Sequence, residues 1–140
     1  MGIVTNFTED YVLWRYLDIP VTSYTVVSEL ENNKLRGFII GRLKQTWIGR
    51  KFRITDVFYD HNDCLGMLKQ QLEKKIKEWS IDYSTIVATD SLLTKNLFGK
   101  LSAQAQVGPK VTVRRLRRSD LTDFENFSAW CPSLGDLEIF

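Results

Sequence analysis

One long amphipathic stretch constrains this chain more than any other feature. Leu65, Leu68, Leu72, Ile76 and Trp79 recur at steps of three and four residues, so they share one helix face. Lys69, Glu73, Lys74, Lys77 and Glu78 fill the rest of the surface. A strand-like run, Phe52 to Tyr59, precedes the helix, and a second, Tyr83 to Ala88, follows it. Parallel strands need a long crossover, usually a helix, and such crossovers are right-handed. The unit from Phe52 to Ala88 is therefore predicted to be a parallel pair spanned by one helix.

The upstream residues add strands of the other orientation. Asn6 followed by Glu9 reads as a helix start with Asn6 as cap, and Tyr11 to Leu17 as a short helix stopped before Pro20. Tyr24 to Leu30 and Leu35 to Leu43 read as strands joined by a turn at Glu31–Lys34, where asparagine tolerates left-handed backbone. Gly37 and Gly41 mark close approaches or a bulge. With a turn at Thr46–Gly49, the three strands make an antiparallel meander. Downstream, Ser91 to Leu101 reads as a helix, and Lys110–Leu116, Glu125–Trp130 and Leu137–Phe140 as final strands. The expected fold class is α+β: a mixed, mostly antiparallel sheet with helices on its faces. The 140 residues suit a single domain over 1–140.

Composition excludes several classes. Apolar residues at 44% and charged residues at 26% match a globular chain and exclude bulk disorder. No apolar run approaches the roughly 18 residues of a membrane span, and the N-terminus lacks signal-peptide patterning. Cys64, Cys131 and His61 make neither a disulfide framework nor a metal spacing, so no metal and a cytoplasmic location are expected. Charge is uneven. Residues 34–53 and 110–118 carry bases without acids, whereas 119–140 carries acids without bases. The basic strands and Trp47 could serve nucleic acid, but a pI near 8.5 argues against that partner. The simpler reading has the acidic tail neutralising the basic strands.

Two short patterns carry a resemblance. One is Leu13-Trp14-Arg15-Tyr16-Leu17-Asp18-Ile19-Pro20; the other is Asn126-Phe127, Trp130 and Leu134-Gly135-Asp136-Leu137. With the element order, they make the chain resemble the GNAT acyl-CoA N-acyltransferase superfamily. The likeness is to the C-terminal half of bacterial GNAT-like proteins found with polysaccharide genes. It implies a partial or truncated GNAT-like fold and acyl-CoA, such as acetyl-CoA, as co-substrate with a small-molecule amine as acceptor. It also implies that backbone N–H groups of Val57, Phe58 and Tyr59 polarise the thioester. Asn62, Cys64, Leu65 and Gly66 would then face the CoA phosphates, and Asp56 and Tyr59 would be the base and acid to test.

The chain also departs from that pattern. The phosphate loop of such enzymes is glycine-rich with a leading Gln or Arg. Here Tyr59-Asp60-His61-Asn62-Asp63-Cys64-Leu65-Gly66 keeps only Gly66. Asp60 and Asp63 read instead as caps that satisfy the helix's first amides. The position of the family's acidic tyrosine falls on Phe98, which has no hydroxyl and reads as core. His61 and Cys64 read as part of the same polar capping loop rather than as a nucleophile pair. A CoA site degenerate in this way leaves two functions open. One is an acyltransferase-like protein; the alternative is a non-catalytic binding or assembly module that keeps the fold. A half-sized unit with an open sheet edge is expected to pair with itself as an isologous homodimer, hiding Trp14 and Tyr16.

Overall fold

The turn residues fix the register from which the rest of the sheet follows. Asn32 and Asn33 have φ of 51° and 61°, the left-handed pair that closes a two-residue hairpin. The computed structural model describes residues 5–86, 91–99 and Trp130. Among these the chain forms α1 (Glu9–Tyr16), β1 (Thr25–Glu31), β2 (Lys34–Thr46), β3 (Gly49–Tyr59), α2 (Cys64–Glu78), β4 (Tyr83–Thr85) and α3 (Ser91–Phe98). The sheet order is β1-β2-β3-β4. β1 with β2 and β2 with β3 are antiparallel, whereas β3 and β4 are parallel. The expected meander and the parallel crossover spanned by α2 are both present. The terminal strands expected over 110–140, the polysaccharide-group signature there and the acidic tail lie outside the described residues, apart from Trp130.

A bulge decides which side chains of β3 meet the helix. The register of β2 on β3 shifts between Ile40 and Gly41, which leaves Thr55 as the extra residue of β3. Its hydroxyl donates to the Ile40 carbonyl at 2.9 Å. One added residue inverts the period-two alternation of the strand. Phe52 and Ile54 face α2 before the bulge, and Val57 and Tyr59 pack on the same core after it. Across the sheet Val27, Ile39 and Leu43 complete that face, and Leu65, Leu68 and Leu72 of α2 close it. Leu97 and Phe98 of α3 join the same core, so Phe98 packs as expected.

Two glycines let the layers approach. A Cβ on Gly37 would lie 2.8 Å from the Phe58 carbonyl oxygen and 2.9 Å from Leu68 Cδ1. A Cβ on Gly41 would lie 2.6 Å from the Phe52 ring. Asp82 ties the β2–β3 hairpin to the start of β4: its carboxylate accepts the Arg50 N–H at 2.6 Å, and its own N–H donates to the Arg50 carbonyl.

The start of α1 differs from the sequence reading. Thr8, not Asn6, is the cap; its backbone is extended and its hydroxyl oxygen accepts the Tyr11 N–H at 3.2 Å. The reason is the residue between them. Phe7 packs edge-on against Tyr11 and Phe58, with centroids 5.6 and 4.9 Å apart, which pins the chain before the helix. Phe58 stacks on Phe38 across the strands, on the sheet face away from α2. Tyr16 is buried edge-on against Tyr24 of the same chain, so it needs no second copy to cover it. Trp14 is exposed.

Candidate functional site

β3 carries the expected site residues to the start of α2. Its parallel ladder with β4 covers Lys51–Arg53 against Tyr83–Thr85, and β3 then runs on to Tyr59. Residues 60–63 turn the chain directly into α2. The carboxyl end of β3 and the amino end of α2 thus lie together, where strand ends and helix dipole converge in open α/β units.

Bulge parity sets the faces of the candidate catalytic pair. Asp56 is opposite Ile40 and shares its face with Phe58, away from α2. It is only 4% exposed. Tyr59 lies on the other face, half-buried with Val57 against the core under α2. The two residues therefore flank one strand from opposite sides. Cys64 and Leu65 are fully buried by their side chains. Their amides donate to the carbonyls of His61 and Asn62 at 3.2 and 3.3 Å. Cys64 Sγ donates to the Arg36 carbonyl at 3.5 Å, while His61 is exposed, so the two point to different surroundings. Asn62 and Gly66 are exposed, and a Cβ on Gly66 would meet nothing within 4 Å.

The loop carboxylates do not cap the helix. Asp63 sits in helical geometry and makes no side-chain cap hydrogen bond. Loop carbonyls accept the first amides instead, and the carboxylates turn to Arg36. Its guanidinium lies 2.9 Å from Glu31, 2.9 Å from Asp60 and 3.4 Å from Asp63. Desolvation works against the charges of this cluster, but the opposite charges outweigh it. Arg36 is held above its ordinary pKa by Asp60, Glu31 and Asp63 together. Asp60 is held below its own, first by the Arg36 charge and then by the His61 N–H. Arg36 is the residue that sequence reasoning missed, having appeared only as one base in a run. The hairpin carries the signal: counting back from Trp47–Ile48 with one bulge at Gly41 sets Arg36 beside Asp60.

Among the described residues no group of three His, Cys, Asp or Glu could hold a metal ion, and no helix is long and apolar enough to cross a membrane. No protein-family model and no curated protein matches the sequence. Solved structures do. The aminoglycoside acetyltransferase meta-AAC0020 from an uncultured soil metagenomic sample, solved with sisomicin, matches with TM-score 0.55 at 17% identity, over 79% of this chain and 78% of that chain. The same protein solved with trehalose matches with TM-score 0.52 at 17% identity and the same coverage. TTHA1254 from Thermus thermophilus has TM-score 0.44 at 15% identity, over 81% of this chain and 96% of that chain. The chain therefore has a GNAT-like α+β fold, with a mixed four-stranded sheet among the described residues.

Proposed function

We propose that the chain is an acyl-CoA-dependent N-acyltransferase acting on an amine. One observation carries the reading: within a GNAT-like fold, the bulged end of β3 runs straight to the amino end of α2. The co-substrate is acetyl-CoA or another acyl-CoA. The amine nitrogen attacks the thioester carbonyl carbon, the C–N bond forms, the C–S bond breaks and CoA leaves as a thiolate. Backbone N–H groups around Val57, Phe58 and Tyr59 stabilise the developing oxyanion. Asp56 takes the amine proton and the Tyr59 hydroxyl returns one to the thiolate. Their opposite faces suit this division, with the acceptor arriving on the Asp56 side and the thiol leaving on the α2 side.

The pyrophosphate end then lies at Asn62–Gly66, with Arg36 as its cation. Asp63 is the more distant and more exposed partner of Arg36, so it is the carboxylate a phosphate displaces. The same cluster favours a second reading, a non-catalytic module that keeps the fold. Three carboxylates against one guanidinium leave local negative charge at a helix start that a phosphate would otherwise prefer.

A thermal-shift titration with acetyl-CoA and CoA separates the two, because a ligand of the native state raises Tm. The wild type is expected to shift, and Asp63→Asn to bind about 2- to 5-fold tighter, the factor for removing one like charge from a helix start (about 0.3–1 kcal/mol). No shift in either protein at millimolar ligand would leave the module as the function.

A further inference from the structure

We propose that a second copy of the chain adds to the outer edge of β1, antiparallel, with the two-fold axis at Ser28. The pairing is independent of the acyltransferase reading.

Among the described residues β1 is an edge strand with β2 as its one sheet partner. Its outer backbone groups bond to no described residue. An open edge of this kind is a template for another strand. The side chains say which strand it takes. Val26, Ser28 and Leu30 share one face by the period of two, and all three are exposed, Val26 by 51% and Leu30 by 59%. Both are β-branched or bulky apolar residues on a strand that carries neither proline nor lysine to guard it.

About an axis at Ser28, Val26 stands directly opposite Leu30 of the partner subunit, and Leu30 opposite Val26 of the partner subunit. The apolar row then runs unbroken across the junction, because Leu35 already pairs with Leu30, and Ile40 with Val26, inside each copy. Charges agree with the same register. Glu29 faces Val27 of the partner subunit and Glu31 faces Thr25 of the partner subunit, so no acid stands directly opposite an acid. Glu31 is in addition neutralised within its own chain by Arg36 at 2.9 Å. Moving the axis to Glu29 would set that carboxylate against its own copy, which is destabilising across strands. Moving it to Val27 would set Val26 against a serine. The register break between Glu29 and Leu30 places its extra residue, Arg36, on β2, so β1 stays regular along its free side.

Sedimentation or light scattering at micromolar concentration gives the test. The wild type is expected at about twice the 16.3 kDa chain mass, and Val26→Lys and Leu30→Lys each at the mass of one chain. The double variant Val26→Lys with Leu30→Glu is expected to return to the dimer, because each lysine then faces a glutamate of the other copy. Within one chain the two positions are four strand residues apart, roughly 13 Å at 3.3 Å per residue, too far for direct contact. Far-UV circular dichroism checks that each variant folds, and either single lysine suffices if the other does not. A monomeric wild type overturns the proposal. So does a dimer that survives both lysine variants, or a double variant that stays monomeric.

Discussion

Arg36 organises its surroundings through its charge and its hydrogen bonds. One guanidinium gathers side chains from the end of β1, from the loop after β3 and from the cap of α2. The consequence is a pH dependence with a definite sign. Asp60 has a folded pKa below its unfolded one, so the pairing contributes stability that is fully present above the ordinary carboxylate pKa, about 4. That contribution fades as pH falls through the depressed value. In Arg36→Met Asp60 has lost the cation that holds its pKa down. Melting temperatures from pH 7 downward are expected to fall more steeply for the wild type below about pH 4, with Arg36→Met lower at pH 7 and flatter in acid. Parallel curves would contradict the cluster. The sequence displayed every member of it but not their meeting, since Arg36 and Asp63 are 27 residues apart. Two aspartates before a helix read most simply as caps, and the structure spends them on Arg36 instead.

At the scale of elements, helix and strands form where the sequence placed them, but the side-chain alternation of β3 does not persist along the strand. The α2 stripe was legible because a helix keeps its face over many turns, and Leu65, Leu68 and Leu72 are buried as the spacing requires. In β3 a single extra residue, Thr55, turns every later side chain over, and no periodicity at the level of residues shows it. Gly41 marked the place without giving the direction. The layer contact between β2 and α2 is where this matters most. Gly37→Ala forces a methyl against the Phe58 carbonyl and Leu68, and overpacking of that kind is expected to cost about 1–3 kcal/mol. Gly66→Ala is the control: it meets open space in an exposed helical turn and is expected to stabilise by up to about 1 kcal/mol. Urea unfolding of both variants checks the pair. A Gly37→Ala protein as stable as the wild type would mean that the sheet and helix sit farther apart than described.

For the whole molecule, the parallel pair spanned by α2 was legible from one helix and its flanking runs. The site was less so. Residues Val57 to Gly66 run on from strand to helix, but Asp56 and Tyr59 divide between faces, and the proposed phosphate end has carboxylates around Arg36 where a glycine-rich loop was expected. Such a site works only if an acyl-CoA lies along β3 and reaches the start of α2. Backbone amide chemical shifts followed during titration with acetyl-CoA test this most directly. The largest saturable changes are expected at Val57–Tyr59 and at Asn62–Gly66, with the Arg36 side-chain signal moving in step. Saturable changes confined to other parts of the sheet, or none at millimolar ligand, would contradict it.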